Sequence, residues 1–163
     1  MLGDTLLAGF SPDEIETVLA HELGHQVNRD IPLGIAFQSV VTLVGLYLVQ
    51  LGLQRGVQAF GFRGVADVAA FPILAAVMGA FGVVTLPLGN AFSRWRERLA
   101  DRYALDSTHK PEAFINAMTR LANQNLSEVD PEPWVEFLLY SHPAIGKRIA
   151  MANAYARQRS EHE

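Results

Sequence analysis

Two stretches of this chain run without Asp, Glu, Lys or Arg for far longer than a short core helix needs. The first covers 24 residues, from Ile31 to Gln54, and the second 26 residues, from Val68 to Ser93. A helix rises about 1.5 Å per residue and the hydrocarbon core of a bilayer is about 30 Å thick, so either run is long enough to cross. Charged residues bracket both runs, with Arg29, Asp30, Arg55 and Asp67 at their ends and Arg94 and Trp95 after the second. The competing interpretation is a pair of buried helices in a soluble protein, and Gln38, Gln50, Asn90, Pro72 and Pro87 lean that way. A chain of 163 residues has little else with which to wrap two such helices on every side. The runs are therefore read as a membrane hairpin. Small residues in the second run (Ala69, Ala70, Ala75, Ala76, Gly79, Ala80 and Gly82) are expected to permit close helix contact.

A hairpin returns the chain to the side it left. Arg29, Arg94, Arg96, Arg98 and Arg102 then share one side, against Arg55 and Arg63 in the loop between the runs. By the positive-inside rule the flanking side is cytoplasmic. The opening MLGDTLLAGF lacks the basic segment of a secretory signal and is too short to hold one. A net charge of −4 argues against a nucleic-acid partner, and the absence of cysteine excludes disulfides, thiolate metal sites and cysteine nucleophiles.

The polar remainder reads as helical, with at most a short strand in residues 1–8. Ser11-Pro12-Asp13-Glu14 is a helix start: a capping serine, a proline suited to the first turn, and a glutamate that completes a capping box. Ile15, Val18, Leu19 and Leu23 follow at helical spacing to about Asn28. A second helix is expected from near Asn90 to Leu105, continuing out of the second run. Pro111 opens a third, with Phe114, Ile115, Met118, Leu121 and Ala122 on one face. Asp130-Pro131-Glu132-Pro133 reads as a loop. Pro143 is expected to open a last helix that buries Ile145, Ile149 and Ala152, and the tail 158–163 to fray.

The first polar helix contains His21-Glu22-Leu23-Gly24-His25, an HExxH motif. Side chains four apart lie one above the other on a helix, so both imidazoles can face one zinc ion while Glu22 reaches a metal-bound water as general base. Zinc lowers the pKa of such a water to about 7, which makes a nucleophile available near neutral pH. A bare HExxH can also be two surface histidines on an amphipathic helix. A catalytic zinc needs a third protein ligand, and the stretch from Ser93 to Asp101 offers Glu97 and Asp101 on one helical face. One of the two carboxylates can bind the metal while the other accepts from the far nitrogen of a ligating histidine. Alternatively, Glu97 pairs with one of Arg94, Arg96, Arg98 and Arg102 on an ordinary charged helix.

HELGH, a membrane hairpin, E-R-L-A-D and then H-P-A-I-G-K-R-I, in that order, resemble the zinc metallopeptidases that include the HtpX heat-shock protease and the type I CAAX prenyl endopeptidases. The resemblance covers about Asp4 to Ala156. It implies an all-α, gluzincin-like integral-membrane metallopeptidase whose hairpin is inserted between the HExxH helix and the third-ligand helix. It further implies one zinc ion per chain on His21, His25 and Glu97, with Glu22 as catalytic base and Asp101 behind the ligands. His142 and Arg148 match the family's H-P-x-x-x-x-R element at the active site. On the residues alone, His142 ahead of Pro143 is more often a cap or a surface residue; as a site residue it would serve as an oxyanion donor. His109 and His162 read as loop and tail residues. Asn28 and Asp30 match an N-x-D of HtpX-like sequences, but capping explains them equally well.

The expected organisation is a single peptidase domain over 1–163, made of the HExxH helix (11–29), the hairpin (31–54 and 68–93), a helical C-terminal part (94–157) and the tail. The expected activity is hydrolysis of peptide bonds in membrane-associated polypeptides, in a prokaryotic plasma membrane with the active site on the cytoplasmic face. The alternatives are a truncated, non-catalytic membrane protein with a structural zinc site, and a soluble helical interaction module. Such families usually carry further membrane spans and a substrate-binding edge strand upstream of HExxH, and this sequence places Met1 only twenty residues before His21.

Overall fold

The computed structural model describes residues 9–124 and 128–161, and those residues form helices and connecting turns without a strand. The short strand considered for residues 1–8 lies outside them. The helices are α1 (Pro12–Val27), α2 (Asp30–Phe60), α3 (Phe71–Thr108), α4 (Pro111–Gln124), α5 (Pro133–Leu139) and α6 (Ile145–Ser160), with a single 3-10 turn at Val68–Ala70. They cluster into two compact units, one made of residues up to Ile31 together with those from Asn90 onward, the other of Pro32–Gly89.

In the first unit, α1 starts as its sequence dictates. Ser11 Oγ accepts the Glu14 amide at 3.3 Å, and Glu14 Oε2 accepts the Ser11 amide at 2.6 Å. The buried face of α1 is Glu14, Thr17, Ala20 and Gly24, whereas the larger Leu19 and Leu23 remain exposed. Small residues face inward because α1 lies very close to its neighbour. The core is built from Ala20, Ala104, Leu105, Phe114, Met118 and Ala152, with Ile115, Leu121, Ile145 and Ile149 packed against it. The apolar faces expected of α4 and α6 are thus the ones that pack, and α4 lies against both α1 and α6.

Three boundaries differ from the sequence expectation. α6 begins at Ile145 rather than at Pro143, with Ala144 as its N-cap, and it stays helical through Ser160 instead of fraying from 158. The stretch read as a loop around residue 133 ends in α5, because Pro133 takes the first helical position, where its missing N–H costs nothing.

The second unit is a pair of apolar helical segments. α2 is one uninterrupted helix of 31 residues, and α3 runs unbroken through Pro87 for 38. Only 6% of the most apolar part of each helix is buried, which removes the buried-core interpretation: these are surfaces that need a hydrocarbon solvent. Close contact is made by glycines of α2. A Cβ added at Gly45, Gly52 or Gly56 would lie 2.7, 2.6 or 2.4 Å from Phe81, Val77 or Ile73, respectively. Gly79 and Gly82 instead face open space.

Candidate active site

His21 and His25 stand one turn apart on α1, their rings edge to face with centroids 4.7 Å apart. The two Nε2 atoms are 3.1 Å from each other. Glu97, from the polar continuation of α3, completes the group: its carboxylate oxygens lie 3.5 Å from His21 Nε2 and 3.5 Å from His25 Nε2. The pairing of Glu97 with a neighbouring arginine is not what forms. Arg94 turns to backbone carbonyls, Arg96 to Asp30 and Arg102 to Asp106.

A carboxylate stands behind each imidazole. Asp30 Oδ2 lies 2.6 Å from His25 Nδ1, and Asp101 Oδ1 lies 2.8 Å from His21 Nδ1. The His21 contact is short but bent, so that its Nδ1 makes no well-directed hydrogen bond. Asp101 is fully buried and is gripped by Arg148, whose Nε donates to Oδ2 at 2.8 Å and whose Nη2 donates to Oδ1. Asp30 is held by Arg96, which also donates to the Asn28 carbonyl. Asp30 is therefore more than a cap, and Asp30 and Arg96 are site residues that sequence reasoning did not assign. The N-x-D after HELGH was the available signal.

This arrangement fits a cation. A carboxylate beside each Nδ1 favours the tautomer with its proton there, which leaves both Nε2 lone pairs aimed at each other and at Glu97. Three acceptors converging in this way repel unless a positive ion sits among them. Ligand atoms about 2.0–2.1 Å from a tetrahedral zinc are about 3.3 Å apart, close to the separations found here. Among the described residues, His21, His25 and Glu97 form the group able to hold a metal.

The three open onto a cleft of about 190 Å³ that is also lined by Glu22, His142, Arg148, Val18, Met118 and Leu121. His142 Nδ1 is 3.2 Å from Glu97 Oε2, although 63% of its side chain is exposed. The Glu97 carboxylate beside it raises the His142 imidazole above its ordinary pKa, against the opposing effect of partial burial. His109 is not part of the site: its Nδ1 is bonded to the Tyr155 hydroxyl at 2.8 Å.

An all-helical chain with two membrane-length helices, and with an HExxH pair facing a glutamate from a second helix, has the architecture of a membrane metallopeptidase. The model of peptidase family M48 matches residues 1–156, and the chain belongs to that family. It is 34% identical over 156 residues to a Bacillus subtilis protein named metalloprotease YhfN, across 93% of this chain and 37% of that one. It is 29% identical to an HtpX protease homologue of Streptococcus pneumoniae, across 88% of this chain and 56% of that one. The crystal structure of S. mikatae Ste24p shares the fold, with a TM-score of 0.76 at 24% identity, over 91% of this chain and 38% of that one. The chain thus spans between about a third and somewhat over half the length of these relatives.

Proposed function

We propose that residues 1–163 act as one peptidase domain of a membrane-bound zinc endopeptidase, with His21, His25 and Glu97 as the metal ligands. The carrying observation is the convergence of two Nε2 atoms and one carboxylate, each imidazole backed by its own carboxylate. When bound there, zinc supplies a Lewis acid that polarises a peptide carbonyl and acidifies water.

The chain's own residues supply the rest. Glu22, on the wall of the same cleft, takes a proton from the attacking water and delivers it to the leaving amine. His142 donates to the substrate carbonyl oxygen as negative charge grows on it. Arg148 acts at one remove, because its guanidinium is committed to Asp101, whose carboxylate stands 2.8 Å from His21 Nδ1. The substrates are membrane-associated polypeptides taken for general proteolysis. The excess of arginines flanking the hairpin supports a cytoplasmic active site, and the bacterial relatives support a prokaryotic plasma membrane.

The test is Glu22→Gln in the detergent-solubilised chain, assayed on casein with and without a chelator. Chelator-sensitive cleavage is expected in the parent and is expected to fall at least about a hundredfold in the variant, the scale of general-base catalysis. Zinc content should stay near one per chain in both. Full zinc with no cleavage by the parent would overturn the enzymatic reading, and undiminished cleavage by the variant would remove Glu22 from it.

A further inference from the structure

We propose that Arg94 is a positioning residue for His142: its guanidinium grips the backbone that carries the imidazole and ties that backbone to the stretch of α3 that bears Glu97. The inference rests on the role given to His142 above. Arg94 stands three residues before Glu97 and is only 8% exposed. Residues i and i+3 share a helix face, so the grip and the carboxylate move together.

At the C-terminal end of α5 the Glu136 carbonyl accepts the Tyr140 amide at 3.2 Å, and the carbonyls after it have no donor within the helix. Arg94 Nη1 closes this end, donating to the carbonyl of the capping Tyr140 at 2.6 Å and to the Glu136 carbonyl at 2.9 Å, with Phe137 O further off at 3.4 Å. Asn90, one turn earlier on α3, donates to the Leu138 carbonyl at 2.6 Å. A cation at a helix C-terminus also meets the negative end of the helix dipole. The far end of the segment is tied as well: the buried Glu136 carboxylate accepts the Ala144 amide at 3.1 Å and pairs with Lys147. Residues 140–144 are therefore fixed at both ends, with His142 at the centre.

Two physical points make this more than local packing. A helix of seven residues is too short to hold itself and its following loop in place. An arginine serving only as a charge at a membrane edge would stay hydrated, whereas this one is withdrawn from water and turns its Nη1 to one short backbone segment. Most of the His142 side chain is exposed, so its backbone and the 3.2 Å contact with Glu97 together place the ring, and the grip on that backbone governs whether the ring reaches the ligand group.

The experiment compares the full chain with Arg94→Met, Arg94→Lys, His142→Ala and the Arg94→Met/His142→Ala pair, all in detergent. Hydrogen exchange of the backbone is read by mass spectrometry, zinc content by atomic absorption, and kcat and KM on a casein-derived peptide. Arg94→Met should accelerate exchange in 138–146, leave 111–124 unchanged and keep its zinc. Its kcat should fall about tenfold with little change in KM, a part of the 10²–10³ that losing an oxyanion donor outright costs. Arg94→Lys should recover part of both effects. In the His142→Ala background Arg94→Met should cost nothing further, because there is no imidazole left to place. Additive losses in the pair, or unchanged exchange in 138–146 for both Arg94 variants, would overturn the proposal. A zinc-loaded parent that cleaves nothing would instead defeat the proposed function, and the exchange data would still decide whether Arg94 holds the segment.

Discussion

Gly24, inside the HExxH motif, is the residue at which one methyl group separates an assembled ligand set from a dispersed one. A Cβ built there would lie 2.9 Å from Ala100 Cα and 3.1 Å from Ala100 O, so the backbones of α1 and α3 touch at this point. Ala100 sits between Glu97 and Asp101, and Gly24 adjoins His25. Since the obstacle is backbone, Gly24→Ala must push the helices apart and stretch separations that are now 3.1–3.5 Å. Zinc affinity should drop about 10- to 100-fold, the usual cost of disturbing the support of a ligand set, with helical content retained. Competition against a chromophoric chelator measures this, and an unchanged affinity would show that the contact is slack. Helical spacing stacks His21 on His25 and puts Glu97 and Asp101 on one face, but the choice of Glu97 as the third candidate ligand came from the family resemblance and not from spacing. Asp30 was not legible, since its approach to His25 depends on a turn made by Arg29 at a φ of +55°, which no periodicity announces.

At the scale of elements, the Glu14 carboxylate both closes the start of α1 and ties it to α4. Glu14 closes the capping box with Ser11, and its Oε1 accepts from Arg120 Nε at 3.0 Å. Burial alone would raise its pKa, but the Ser11 amide and hydroxyl and the Arg120 charge outweigh that and hold it below the ordinary glutamate range. A carboxylate depressed in the folded state stabilises fully above its unfolded pKa, about 4.3, and loses that contribution as pH falls through the lower folded value. Glu14→Gln should therefore unfold at a lower temperature than the parent at pH 7, with the gap closing below about pH 4. Thermal melts followed by circular dichroism across that range decide it, and a gap that widens in acid would contradict the assignment. α1, α4 and α6 could be read from caps and periodicity. α5 could not, because so short a helix is held by Arg94 and Asn90 from far along the chain rather than by its own sequence.

For the whole molecule, the candidate ligands come from segments on either side of the membrane hairpin in the sequence, so a bound ion acts as a cross-link between remote parts of one chain. The hairpin was legible from length and lack of charge, whereas the seating of Glu97 against the two histidines depends on packing at Gly24 and Ala100 that only the folded chain displays. An ion that binds the folded state alone stabilises it by RT ln(1 + [L]/Kd), about 2.7 kcal/mol at a hundredfold excess over Kd. Chelation of the purified protein in detergent should lower its unfolding temperature, and zinc should restore it with a concentration dependence that follows this relation. Glu97→Ala should lose most of the zinc-dependent shift while keeping the apolar helices, because two histidines on one turn of α1 retain only a weak site and no longer join α1 to α3. If Glu97→Ala responded to zinc as strongly as the parent, the ion would lie elsewhere, and the link between α1 and α3 would rest on packing alone.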